Sequence, residues 1–157
     1  MALSRRSLLT GAGSLLLPLP AQAEPIALRL VVARSSSVQN VSIGDLRQLF
    51  LRKRASLEND TAIPFNHPPR TPDRVGFDRL LLGMNADEVA RYWVDRRVRS
   101  GESPPRTVDS VTLLVAVVAK LRGAVGYVRD GYPTPELKTL SVEGRMPGDA
   151  GYFLVYR

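Results

Sequence analysis

The sequence contains no cysteine. That excludes disulfides, a lipid-modified N-terminal cysteine and any thiolate metal site. Its single histidine, His67, leaves little for imidazole metal chemistry or for a Ser-His-Asp triad. No carboxylates pair at a spacing that would supply nucleophile, base and oxyanion donor. Neither an enzyme nor a resident metal or cofactor is therefore expected. Aromatic residues make up only 6% of the chain and do not interleave with the basic positions, which argues against a nucleic-acid surface. No apolar stretch reaches the roughly 20 residues of a membrane-spanning helix.

What is present begins with an export signal. Ser4, Arg5, Arg6 and Ser7 give a positive start, residues 8–19 are short and mostly apolar, and Ala21-Gln22-Ala23 offers small residues to a signal peptidase. Residues 1–23 read as a cleavable signal peptide, and Arg5-Arg6 gives it a twin-arginine character. An ordinary secretory signal that carries two arginines is the alternative. Either route places a soluble domain, residues 24–157, in the periplasm, with room for one core. The formal charge of +7 falls by two when Arg5 and Arg6 are removed. The remaining excess is scattered over Arg52, Lys53, Arg54, Arg70, Arg74, Arg96, Arg97 and Arg99, a pattern of solvated faces. An anionic ligand or an anionic surface is the partner class that suits it, and nucleic acid is not.

Residues 26–33 are nearly continuously apolar and predict a strand buried on both faces, as in a parallel sheet. Ser42 to Asp45 predicts a capping box ahead of a helix with Ile43, Leu46, Leu49 and Phe50 on one face. Residues 62–65 predict a short strand whose Pro64 suits a sheet edge or a strand end. After the loop Asn66-His67-Pro68-Pro69-Arg70, a helix opens with Thr71 as N-cap, Pro72 in first position and Asp73 at the positive dipole end. Phe77, Leu80, Leu81 and Met84 form its apolar stripe. Asn85 starts another helix, with Val89, Tyr92 and Trp93 facing inward. Asp109 or Ser110 caps a fourth, carrying Val111, Leu114, Val115 and Val118. Residues 124–128 predict a second buried strand in which Gly126 permits close packing, and 137–142 and 152–156 are further short strands. Strands alternating with helices predict an α/β domain with a mostly parallel sheet flanked by helices.

Two of these segments carry a family resemblance. The helix from Ser42 through Leu49-Phe50 to Arg52-Lys53 resembles one found in phosphate-type periplasmic substrate-binding proteins. Gly123-Ala124-Val125-Gly126-Tyr127-Val128 is similar to a recurrent strand of the same family. With the Pro64 strand, the Phe77 helix, Leu82-Gly83-Met84, Tyr92-Trp93 and Pro104-Pro105-Arg106, the likeness spans about residues 28–130, as in short, single-lobe members.

The resemblance implies a single-lobe periplasmic-binding-protein-like domain over 24–157. It implies a non-enzymatic, solute-binding protein that takes phosphate or another small anion for uptake, with an envelope transporter as partner. The family's Ser-Gly-Thr-Arg anion loop corresponds here to Thr71-Pro72-Asp73-Arg74, so Asn66, Arg70, Thr71 and Arg74 are the candidate ligand contacts. Two departures stand out. Pro72 lacks an N–H donor, and Asp73 puts a carboxylate where the anion would sit. The same residues also have ordinary readings: Thr71 as a cap, Arg70 and Arg74 as solvated charges with Arg74 pairing with Asp78, and His67 as a surface loop residue. The alternative function is an envelope accessory protein that keeps the fold without the ligand and meets a partner through its proline-rich loop and arginine-rich faces.

Overall fold

In a computed structural model, which describes residues 20–157, the first apolar run forms β1 (Ile26–Ala33). The predicted signal peptide, except for its last four residues, lies outside the described residues. β2 (Asn40–Val41) leads into α1 (Ile43–Phe50), and Ser42 Oγ accepts from the Asp45 N–H at 3.0 Å. The reciprocal half of the expected capping box is absent. Asp45 pairs with Arg54 instead, and the Ile43 N–H is taken by Glu143 Oε1 at 2.7 Å. A small hairpin of β3 (Ser56–Leu57) and β4 (Asp60–Thr61) follows.

β5 (Ile63–Asn66) then leads to α2 (Pro72–Leu82), which stops at Gly83 in the left-handed conformation. α3 (Ala86–Ser100) starts with a full capping box between Asn85 and Glu88. β6 (Arg106–Thr107), α4 (Val111–Lys120, capped by Ser110), β7 (Ala124–Arg129), β8 (Leu137–Val142) and β9 (Val155–Tyr156) complete the chain.

The main sheet has the order β2-β8-β1-β7-β5-β6, with β9 also beside β1. β1 is antiparallel to β7, β8 and β9, whereas β2–β8, β5–β7 and β5–β6 are parallel pairs. Every strand of this sheet except β1 therefore points the same way, which makes it mixed and mostly parallel. The β1 run is buried as its composition predicts, but it is the one strand that opposes the rest. A continuous apolar run reports cover on both faces and carries no information about direction.

For Pro64 the strand-end alternative holds and the sheet edge does not, since β5 is an interior strand and Pro64 lies near its start. Ile63 donates its N–H to the Gly123 carbonyl on the β7 side at 2.8 Å, so the nitrogen of Pro64 faces the β6 side. Pairing with β6 begins only at Phe65, and no donor is missed there.

Side chains alternate across the sheet into two cores. Leu28, Leu30, Val32, Val125 and Tyr127 pack under α1 and α2 with Phe50 and Phe77. Val31, Ala124 and Val128 pack under α4 with Leu114 and Val118. Gly126 admits α4 closely, because a Cβ there would lie 3.2 Å from Leu114 and Val118. β2, β5 and β6 run in parallel and each leads into a helix, so the N-termini of α1, α2 and α4 gather at one end of the sheet. That end is where open α/β sheets place ligands.

Candidate functional site

β5 delivers Asn66 to this end of the sheet in a buried position. Its Oδ1 accepts from the Tyr127 hydroxyl at 3.1 Å. Tyr127 stacks on Phe77 with ring centroids 3.8 Å apart, and burial pushes its phenol well above the usual tyrosine range. His67 is also buried, and its Nε2 donates to the Tyr127 carbonyl at 2.7 Å. It is a cross-strand brace and not the surface loop residue that its sequence neighbourhood suggests.

The chain then turns through Arg70, which adopts a φ of 67°. The Arg70 side chain points into solvent and pairs with Asp87 at 2.6 Å. Thr71 holds the N-cap position of α2 but does not cap it. Its hydroxyl turns back and donates to the Pro68 carbonyl at 2.9 Å. Arg74 departs furthest from the picture of a solvated charge, being only 6% exposed. Its Nε donates to Asp78 at 2.5 Å and its Nη1 to the His67 carbonyl at 3.1 Å. Desolvation raises the Asp78 carboxyl above the usual aspartate value, and the Arg74 charge opposes that shift. The fold thus gathers Asn66, Thr71 and Arg74 into one segment, each with polar atoms held by the chain itself, while Arg70 stands outside.

Asp73 stands in the first turn of α2, and its carboxylate is held by two side chains from other elements. Its Oδ1 accepts from Arg129 Nε at 2.7 Å and from the Tyr156 hydroxyl at 2.5 Å. A carboxylate in the first turn lies in the field that would otherwise draw a free anion. The Arg129 guanidinium is stabilised in its charged form, chiefly by the Asp73 hydrogen bond. Burial, and after it the bond to Asp73, pushes the Tyr156 phenol up to about 12. Gly76 makes this arrangement possible, because a Cβ there would lie 2.5 Å from the Tyr156 ring. The backbone N–H groups at the other two N-termini receive side-chain oxygens: Ser42 and Glu143 on α1, and Ser110 on α4.

Arg129 and Tyr156 are the residues that sequence reasoning missed. They lie 56 and 83 positions from Asp73, and nothing local links them to it. Arg129 does end the Gly-Ala-Val-Gly-Tyr-Val strand, so its position at this end of the sheet follows once that strand is placed. Among the described residues, no group of three or more His, Cys, Asp or Glu converges on a metal position.

At the level of sequence, no family and no curated protein matches the chain. Solved structures do. An ABC-type phosphate transport receptor from Vibrio cholerae superposes with a TM-score of 0.68 at 18% identity, over 83% of this chain and 54% of its own. PstS from Borrelia burgdorferi gives 0.66 at 16% identity, over 83% and 55%. A phosphate-bound substrate-binding protein of a putative phosphate ABC transporter from Clostridium perfringens gives 0.62 at 12% identity, over 78% and 47%. The chain is thus similar in fold to one lobe of phosphate-binding proteins and spans about half their length. No helix among the described residues is long and apolar enough to cross a membrane.

Proposed function

We propose that this chain is an exported, non-enzymatic accessory module with a binding-protein lobe, whose anion seat is occupied by its own Asp73. The observation that carries this reading is the Asp73 carboxylate at the α2 N-terminus, held by Arg129 and Tyr156. A free anion entering that seat would displace a carboxylate already in the dipole field, where the field itself contributes only about 0.3–2 kcal/mol. It would also meet Pro72, which has no N–H to offer. A phosphate carries more charge than Asp73 but would lose the contest of preorganisation, because Asp73 is tethered to the seat. Export through the signal over residues 1–23 places the module in the periplasm, where the resemblance to solute-binding proteins has its natural meaning.

A second reading, direct capture of phosphate or another small anion for uptake, draws support from the donors retained at the seat. Arg129 and the Tyr156 hydroxyl are what an anion needs there once Asp73 moves aside, with Asn66, Arg70, Thr71 and Arg74 nearby in the chain.

One calorimetric series separates the two readings. The purified chain is titrated with phosphate, sulfate and small carboxylates, and is expected to bind none of them more tightly than about millimolar, or roughly −4 kcal/mol. Asp73→Gly is expected to create or strengthen phosphate binding, and Arg129→Ala in that background to remove it. Micromolar binding of phosphate by the unaltered chain would overturn the accessory reading and establish the second.

A further inference from the structure

The sheet has a free edge at β6, which pairs with β5 on one side only. Val108 donates its N–H to the Asn66 carbonyl at 2.9 Å. By the alternation of a parallel ladder, the N–H and C=O of the preceding residue, Thr107, point away from the sheet. Beside this edge, between α2, α3 and the proline connector, lies a cavity of about 190 Å³. Val75, Val89, Trp93, Pro104, Pro105 and Thr107 are among the residues that line it.

The buried Arg74–Asp78 pair also lines the cavity. Arg74 uses Nε and Nη1, and Asp78 uses Oδ2. Nη2 and Oδ1, one donor and one acceptor, have no chain partner among the described residues. A second hollow of about 230 Å³ shares Ala90, Trp93 and Pro104 with the first and runs on to Val94 and Arg97. Val94 is 65% exposed.

We infer that the β6 edge and these two adjoining hollows form a docking groove for an extended peptide segment of a partner protein, bearing a bulky apolar residue and acidic neighbours. The inference rests on the accessory reading above and names the kind of partner. An extended chain offers the N–H and C=O that Thr107 lacks, as in strand addition to a sheet edge. Its side chains alternate, so that one seats in the cavity while the backbone follows the edge. A cavity of about 150 Å³ is enough for a benzene-sized group. The larger hollow here suits a leucine or phenylalanine side chain, and falls short of the roughly 300 Å³ at which drug-sized ligands begin.

The paired donor and acceptor of Arg74 and Asp78 complement a neutral peptide amide, which is less costly to bury than a charged head group. Arg70, beside the first hollow, is already paired with Asp87, but Arg97 lines the second and exposed Arg106 lies on the edge strand itself, so the surroundings favour acidic flanks.

Trp93, the chain's only tryptophan, lies between the two hollows and reports on both. The probe is acetyl-Asp-Asp-Leu-Thr-Leu-Asp-amide, titrated into the purified chain while Trp93 emission is followed. A saturable change is expected, weakening at high salt. Ala90→Leu, which fills the shared wall from an exposed position, and Thr107→Pro, which removes the outward N–H, are each expected to weaken binding about tenfold or more. Circular dichroism checks that both variants fold.

The inference is overturned by absence of a saturable change, by equal binding of the peptide with Lys in place of Asp, or by folded variants that bind as the parent does. It is also overturned if anionic phospholipid vesicles, or raised concentration of the chain alone, produce the change that the peptide does not. Phosphate calorimetry decides the accessory reading separately, so the two failures are distinguishable.

Discussion

Arg74 decides whether the α2 segment is a ligand site or a piece of architecture, and replacing it gives the most direct measurement. An i,i+4 ion pair on a solvated helix contributes a few tenths of a kcal/mol. Here both partners are nearly inaccessible, Arg74 at 6% and Asp78 at 4% exposure. Arg74→Met keeps most of the volume but strands the Asp78 carboxylate, and breaking a buried pair from one side costs about 3–5 kcal/mol. The lost bond to the His67 carbonyl adds to this, because that oxygen is left without its guanidinium donor. For a domain of this size each kcal/mol shifts Tm by about 3–5 °C, so a fall of about 10 °C or more is expected.

Arg74→Met with Asp78→Leu removes both charges and is expected to recover most of that loss, since apolar replacement of a buried pair is often close to neutral. Thermal melts of the four proteins give the coupling energy. The pH dependence has a definite sign. The folded Asp78 carboxyl already titrates above its usual value, and without Arg74 it titrates higher still. A group raised in the folded state contributes its stability below the unfolded pKa and loses it as pH rises through the folded one. The deficit of Arg74→Met is therefore expected to be small near pH 4 and to grow towards pH 7. A single substitution that costs less than about 0.5 kcal/mol at neutral pH, the size of a surface pair, would refute the reasoning and free Arg74 for a ligand.

Gly76→Ala gains helix propensity of about 1 kcal/mol but drives a Cβ into the Tyr156 ring, and overpacking of this kind costs about 1–3 kcal/mol. A net loss in urea melts is expected, and Gly76→Ala with Tyr156→Ala should recover the propensity gain. Ultraviolet titration of the phenolates should show Tyr156 ionising near 12, and Tyr156→Phe should delete that step. Because its folded pKa lies above the unfolded value of about 10, the Tyr156 contribution is complete below pH 10 and disappears as pH rises through 12. Tyr127→Phe leaves Asn66 Oδ1 without its donor and is expected to lower stability by about 1–3 kcal/mol, measured by denaturant unfolding.

The likeness to the phosphate-protein lobe was legible because its carriers are local. Ser42 before the Leu46, Leu49 and Phe50 face, and Gly126 within an apolar strand, each express a backbone requirement within a few residues. α3 was equally legible, since Asn85 and Glu88 form a box closed within one turn. The small β3–β4 hairpin and the two-residue β6 were not, because such short strands are defined by what lies beside them. His67 reads as a loop residue between prolines, yet tertiary packing buries it against Tyr127.

The sequence by itself determined the alternation of strands and helices, the two-sided burial of β1 and β7, and the placing of Pro72 and Asp73 at the start of α2. Periodicity, capping and backbone sterics act over a few residues, so they can be read along the chain. Only the tertiary structure decided that β1 runs against its neighbours, that Arg74 is spent on Asp78, and that Arg129 and Tyr156 arrive from remote strands to hold Asp73. Direction, burial of a charge and the meeting of distant side chains depend on which strands become neighbours, and that is settled by packing of the whole domain.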